Sequence, residues 1–255
     1  MIHQAYLNGY DAAAIHARAA EVIEHGKQLN PEALERYQQH FNEKCAGSKT
    51  TIDAAKQFIP GGVQHNLALN YRFPLNIVKA DGPYLYDIDG NRYIDLLNGG
   101  GVTILGNNYP PIREAVIRTI NETGYLTGLY NEYEKKLAEK ICQYYPSCQK
   151  FRMLGSGTEA VMVALRLARA FTGKDKIVKL KGCYDGWSDH IVYDVRTVNT
   201  GSSFAVGIPA DTLKNTSAVM INDIDALEQR FQENEKDGGT AALIIEPIGD
   251  RKSVV

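Results

Sequence analysis

The chain has 255 residues, with 28 Lys plus Arg against 30 Asp plus Glu and a formal net charge of −2 at pH 7. This even balance excludes a protein that grips nucleic acid through bulk positive charge, and a hydrophobic content of 44% is too high for an intrinsically disordered chain. No stretch approaches the roughly 20 consecutive apolar residues of a membrane helix, so neither nucleic acid nor a membrane is an expected partner.

Residues 1–26 carry acids and no apolar core segment, so they read as neither a secretory signal nor a transit peptide. Four cysteines without CxxC spacing read as reduced thiols of a cytoplasmic protein, although Cys142 and Cys148 are near enough in sequence to pair. Over 9–45, Ala12, Ala13, Ile15, Ala19, Val22 and Ile23 recur at helical spacing. Asn30 before Pro31 predicts the cap and first position of a second helix. Residues 1–74 thus form a helical arm suited to packing on something, such as another subunit.

Residues 75–97 hold three short Ile/Val/Tyr/Leu runs parted by Asp81-Gly82 and Asp89-Gly90-Asn91, the signature of a small antiparallel meander. With the glycine run 98–101, whose backbone freedom suits close approach to a ligand, it makes a second segment, 75–109. From 110 onward helices are expected at 111–123, 131–144, 158–172 and 223–236. Short strands are expected at 150–154, 176–181 and 240–246, with an irregular loop over 182–218. That alternation predicts an α/β domain, 110–255, with a mostly parallel sheet and flanking helices. The Lys/Glu-rich run 132–140 reads as a solvated helix face.

The most informative stretch is Gly155-Ser156-Gly157-Thr158, set between a strand and an amphipathic helix whose apolar face is Val161, Ala164, Leu165, Ala168 and Phe171. Such a turn presents backbone N–H groups at the positive end of a helix dipole, with two hydroxyls beside them. Phosphate is the usual occupant, and the bland alternative is a Ser or Thr helix cap. The same residues match the dinucleotide pattern G-x-G-x-x-A. The acid that pattern needs belongs at the end of the second strand, however, and Asp175 precedes that strand. Tyr184 and Trp187 follow the 176–181 strand in a turn, and Glu246 closes the last strand. In an open α/β sheet these carboxyl ends share one edge with the 155–158 turn. A phosphate cradle beside an aromatic ring suggests a phosphorylated planar ligand, against the alternative of plain loop packing for both rings. A Glu closing a buried strand is costly unless bonded, which favours a role. The six histidines show no metal-ligand spacing, and Ser188 and Ser202 lack a nucleophile-elbow context.

The stretches GGVQHNLALN (61–70), DGPYLYDIDGNRYIDLL (81–97), ILGNNYPPIREAV (104–116), GSGTEAVMVALRLARAFTGKDKIVKLKGCYDGWSD (155–189) and ALIIEPIG (242–249) occur in an order that resembles the class III pyridoxal-phosphate-dependent aminotransferases, nearest their glutamate-1-semialdehyde 2,1-aminomutase-like branch. The resemblance implies the fold type I architecture of PLP-dependent transferases and a homodimer with active sites at its interface. It implies pyridoxal 5'-phosphate as cofactor, held at its phosphate by Ser156, Gly157 and Thr158 and stacked by Tyr184. Glu246 would be an accessory group, and 98–101 would lie near the substrate. The reaction implied moves an amino group from an amino acid or amine to an oxo-acid or aldehyde, with the cofactor as electron sink.

Three departures from the family shape the expectation. Nothing in the sequence can be matched to the family's Schiff-base Lys or to the Asp that pairs with the pyridinium nitrogen. The expected product is therefore the N-terminal portion of the fold, its C-terminal part missing, poorly soluble and binding the cofactor weakly if at all. Lys179 and Lys181 read as solvated or sheet-edge charges. Where the aminomutase holds a substrate carboxylate with Arg, this chain has Ala68, with Arg72 out of register, which favours an aminotransferase of unknown substrate over the aminomutase. Asp185 stands where the family usually has His, and it would repel a phosphate unless paired or turned away. A non-catalytic remnant that pairs with a full-length homologue, and a nucleotide-binding oxidoreductase, are the rival readings.

Overall fold

The computed structural model describes residues 12–26, 30–65, 68–69, 72–124, 128–195 and 207–246. The chain divides into two compact units, Met1–Gly128 and Leu129–Val255. The arm, the meander and the helix at 110–123 therefore share the first unit, whereas pattern changes in the sequence suggested boundaries at 74/75 and 109/110.

The first unit opens with helices α1 (Ala12–Glu24), α2 (Pro31–Lys44) and α3 (Ala46–Ala55). The Asn30 side chain caps α2, accepting from Glu32 N at 2.9 Å and Ala33 N at 3.4 Å, with Pro31 at the first position as expected. Val22 and Ile23 of α1 are exposed. Helix α3 has no counterpart in the sequence reading, because its start is satisfied from far along the chain. The Asp89 carboxylate accepts from Gly47 N at 2.6 Å, Ser48 N at 2.9 Å and Ser48 Oγ at 3.0 Å. That places a negative group on the first turn of a helix, where its dipole favours one.

The expected meander is present as β1 (Ile77–Asp81), β2 (Tyr84–Asp87) and β3 (Arg92–Ile94), antiparallel in the order β1-β2-β3. Both turns use glycine at positive φ, +51° at Gly82 and +82° at Gly90. Asp87 is buried and accepts from Asn91 N at 2.7 Å, Asn91 Nδ2 at 2.8 Å and Tyr93 Oη at 2.8 Å. The glycine run after the meander forms a single turn, α4 (Asn98–Gly101), with Asn98, Gly99 and Gly100 at φ of +50°, +58° and +86°. The conformation itself thus demands small residues there. Asp95 secures this turn by accepting from Leu97 N and Asn98 N, and from Asn107 Nδ2 at 2.8 Å. Helix α5 (Pro110–Thr123) follows.

Four carboxylates of this unit are held below the ordinary Asp value, Asp53 by its bonds from Lys49 and Lys56 and the other three by uncharged donors. Burial pushes Asp87 up, but the bonds from Asn91 and Tyr93 outweigh it; Asp89 is lowered by Ser48 and Gly47, and Asp95 by Asn107. A carboxylate lowered on folding contributes stability above its unfolded value of about 3.8, and that contribution is lost as pH falls through the folded value. Thermal melts followed by circular dichroism should therefore show the melting temperature holding between pH 6 and about 4.5 and dropping as pH falls below about 4. A melting temperature that rises on acidification would contradict this assignment.

The second unit contains α6 (Glu132–Tyr144), α7 (Gly157–Thr172), β4 (Lys176–Leu180), β5 (Thr216–Val219), α8 (Ile224–Glu235) and β6 (Thr240–Ile244). Asn131 and Glu134 close a capping box at the start of α6. The sheet is parallel in the order β5-β4-β6, so β4 is central. Two expectations are corrected. Residues 151–154 form no strand, and Arg152 and Met153 are exposed. Strand β5 lies inside the expected irregular loop, because four residues, Thr-Ser-Ala-Val, are too few and too polar to declare a strand.

Helix α7 covers one face of the sheet. Leu165, Ile177 and Ile191 form its buried cluster, joined by Val161, Ala241, Ala242 and Ile244. The packed stripe is narrower than the sequence suggested. Phe171 is 93% exposed, and the buried contacts follow Val161 and Leu165, one turn apart. All four cysteines are free thiols, and no described helix is long and apolar enough to cross a membrane.

Candidate functional site

The residues singled out at 155–158, 184 and 246 all fall in the second unit, where β4, β6 and α7 bring their surroundings together. Ser156 caps α7. Its Oγ accepts from Glu159 N at 3.2 Å and donates to Glu159 Oε2 at 2.9 Å. The cap reading of Ser156 and the anion-turn reading are thus not exclusive, but an incoming phosphate has to draw this hydroxyl away from Glu159. The N–H groups of Gly157 and Thr158, in the first turn, have no acceptor within the helix by its geometry. The space above is open, since a Cβ built on Gly157 meets nothing within 4 Å.

The loop after β4 docks on this turn. Trp187 N donates to Thr158 Oγ1 at 3.3 Å. Gly186 lies so close that a Cβ there would stand 3.1 Å from Thr158 Cα and 3.2 Å from its Oγ1, and its φ is +103°. Tyr184, two residues before that contact, is 40% exposed. Trp187 itself is exposed, so its contribution is the backbone amide and not ring packing. The sequence-level expectation that Tyr184 and the 155–158 turn share one edge is met at the level of the loop and the turn.

The lysines of β4 require correction. Lys179 is neither solvated nor at the sheet edge: it sits in the central strand and is fully buried, at 0% exposure. Its Nζ donates to Cys183 O at 2.7 Å and Tyr193 O at 2.9 Å and lies 3.2 Å from Asp185 Oδ2. Lys181, half-buried, lies 4.0 Å from Asp194 Oδ2. Asp185 is therefore the paired carboxylate that the sequence required it to be. Burial raises its pKa, the Lys179 charge opposes that rise, and the charge of Glu246 adds to it. The signal for Lys179 was present in the sequence. A central parallel strand is buried on both faces, so a Lys within Ile-Val-Lys-Leu must find a partner, and an acid stands six residues on.

The candidate substrate residues near the chain's start lie in the first unit. Arg72 donates from Nη2 to Gln38 Oε1 at 2.7 Å. Among the described residues no group of three or more His, Cys, Asp or Glu is placed to hold a metal.

A parallel sheet, a Gly-Ser-Gly-Thr helix start and the Tyr184 loop docked on that start define an α/β protein. The chain belongs to the class-III aminotransferase family, whose sequence profile matches residues 67–251. It is 41% identical over 203 residues to the glutamate-1-semialdehyde 2,1-aminomutase of Methanothrix thermoacetophila, covering 79% of this chain and 46% of that protein. Among solved structures it resembles an omega-transaminase from Sphaerobacter thermophilus, with a TM-score of 0.76 and 28% identity over 84% of this chain and 51% of that one. A transaminase described with PLP bound matches with a TM-score of 0.74 and 27% identity, over 83% of this chain and 49% of that one. The fold is thus the fold type I of PLP-dependent transferases, and the chain spans about half the length of the relatives it matches.

Proposed function

We propose that this chain supplies the phosphate-holding and ring-stacking part of a class-III aminotransferase that uses pyridoxal 5'-phosphate. The observation that carries the reading is the docking of the Tyr184 loop on the first turn of α7, through Trp187 N to Thr158 Oγ1 and the close approach at Gly186. The donor set fits a phosphate dianion: two first-turn amides, the Thr158 hydroxyl and a Ser156 hydroxyl released from Glu159, at the positive end of a sixteen-residue helix. Gly157 and Thr158 hold the phosphate, Tyr184 lies against the pyridine ring, and Glu246 stands by as an accessory carboxylate. Bound there, the cofactor supplies an electron sink for amino-group transfer between an amino acid or amine and an oxo-acid or aldehyde. The functional enzyme is proposed to be a homodimer.

A second reading, glutamate-1-semialdehyde 2,1-aminomutase, is favoured by the 41% identity to such an enzyme. Ala68 and the engagement of Arg72 with Gln38 count against it, because no guanidinium is offered at the position where the aminomutase holds its substrate carboxylate. Supplying the protein with pyridoxamine phosphate and either glutamate-1-semialdehyde or a panel of oxo-acids separates the two. The first reading expects cofactor conversion with an oxo-acid; isomerisation of glutamate-1-semialdehyde alone would install the second.

A test of covalent capture follows from Lys179. Its Nζ is fully buried, ion-paired with Asp185 and bonded to two carbonyls, so an incoming aldehyde has no route to it. Borohydride reduction in the presence of pyridoxal phosphate, followed by peptide mass spectrometry, should leave Lys179 unmodified. A stoichiometric adduct on Lys179 would overturn this assignment.

A further inference from the structure

The buried Lys179 has no part in the cofactor contacts just described, yet its three partners are not scattered. Cys183 O and the Asp185 carboxylate belong to the two residues on either side of Tyr184, and Tyr193 O belongs to the far end of the same loop. The ends of the loop are tied as well. Gly182 N donates to Asp194 O at 2.8 Å, and Gly182 and Val195 form an isolated parallel bridge. One ammonium therefore fills the centre of a closed loop and grips it immediately before and immediately after the aromatic ring.

A buried charge is a poor way to gain stability, since an apolar side chain of similar volume fills the same space without the desolvation cost. What the ammonium provides and a methyl group does not is direction: two hydrogen bonds aimed at fixed backbone carbonyls, and a charge set 3.2 Å from the Asp185 carboxylate. Lys179 also shares a strand face with Ile177, which packs on α7. The anchor of the ring and the helix that carries the phosphate turn are thus referred to one strand.

We infer that Lys179 is a positioning residue for the cofactor: by holding Cys183 and Asp185 it sets the plane that Tyr184 presents above the phosphate turn. This rests on the reading of Tyr184 as the ring-stacking residue. Its chemical content is that an orienting ammonium, paired to the carboxylate at 185, replaces whatever loop anchor a neutral residue at that position would need.

The experiment is a double-substitution cycle on the full-length protein, read by the dissociation constant of pyridoxal phosphate and by the circular dichroism induced in its absorption band. Lys179→Met should weaken binding about ten-fold and change the induced band, whereas in a Tyr184→Ala background the same substitution should cost less than about two-fold. Equal losses in both backgrounds would show a merely structural residue and overturn the inference, leaving the function reading intact. Asp185→Asn keeps both carbonyl bonds and serves in the same cycle if Lys179→Met fails to fold, with an expected loss of about three-fold that likewise vanishes without Tyr184. Hydrogen exchange of the cofactor-free protein gives a separate arm: Lys179→Met or Asp185→Asn should deprotect amides within 183–194 selectively, and unchanged protection there would overturn the anchor directly. Absence of any cofactor uptake by the unsubstituted protein would instead bring down the function reading, and the positioning role with it.

Discussion

Gly186→Ala should separate the Tyr184 loop from the phosphate turn. The added Cβ would lie 3.1 Å from Thr158 Cα, a backbone atom that cannot swing aside, and Gly186 sits at φ +103°, which an L side chain rarely adopts. The clash and the backbone strain act together, so a loss of about 2–4 kcal/mol is expected in the docked state. The loop escapes part of this by lifting off α7, which breaks the bond from Trp187 N to Thr158 Oγ1. Affinity for pyridoxal phosphate should then fall at least about ten-fold, while the melting temperature drops by only a few degrees. Unchanged affinity would mean that docking of this loop does not matter to the ligand.

Ile177→Ala should cost about 4 kcal/mol. Ile177 is fully buried on the central strand, between Thr216 of β5 and Ala242 of β6, and packs with Leu165 and Ile191 under α7. Both the lost transfer free energy and the cavity weigh on a site that flanking strands prevent from collapsing. Against a typical total of about 5–15 kcal/mol this is a large share, and urea unfolding should show the midpoint falling at constant slope. Phe171→Ala is the contrast: that ring is 93% exposed, so the change should stay within about 0.5 kcal/mol. Comparable effects at the two positions would show that α7 buries a different face.

What the sequence disclosed and what it withheld divide along physical lines. The Asn30 cap, the Asp-Gly turns of the meander and the Gly-Ser-Gly-Thr turn are local chemistry, written in adjacent residues, and each is where its pattern puts it. Helix α3 was hidden because Asp89, forty residues on, satisfies its start. Strand β5 was hidden because it owes its existence to pairing with β4. The reading of Lys179 as a surface charge failed for a related reason: a Lys in an apolar run looks like an edge until its carboxylate and two carbonyls are brought around it by loop closure. Asp185, unexplained in sequence, is explained by Lys179. Ser156 was expected as a phosphate donor, and its present bonds to Glu159 show that the same hydroxyl also closes the helix start.

The first turn of α7 is proposed to hold a phosphate. Backbone amide chemical shifts, followed as pyridoxal phosphate and then inorganic phosphate are titrated into the labelled protein, test it most directly. Gly157 and Thr158 should move most with both ligands, with Tyr184 and its neighbours responding to pyridoxal phosphate alone. Shifts that leave Gly157 and Thr158 in place and gather instead around the cleft of Lys176, Lys214 and Arg230 would contradict it.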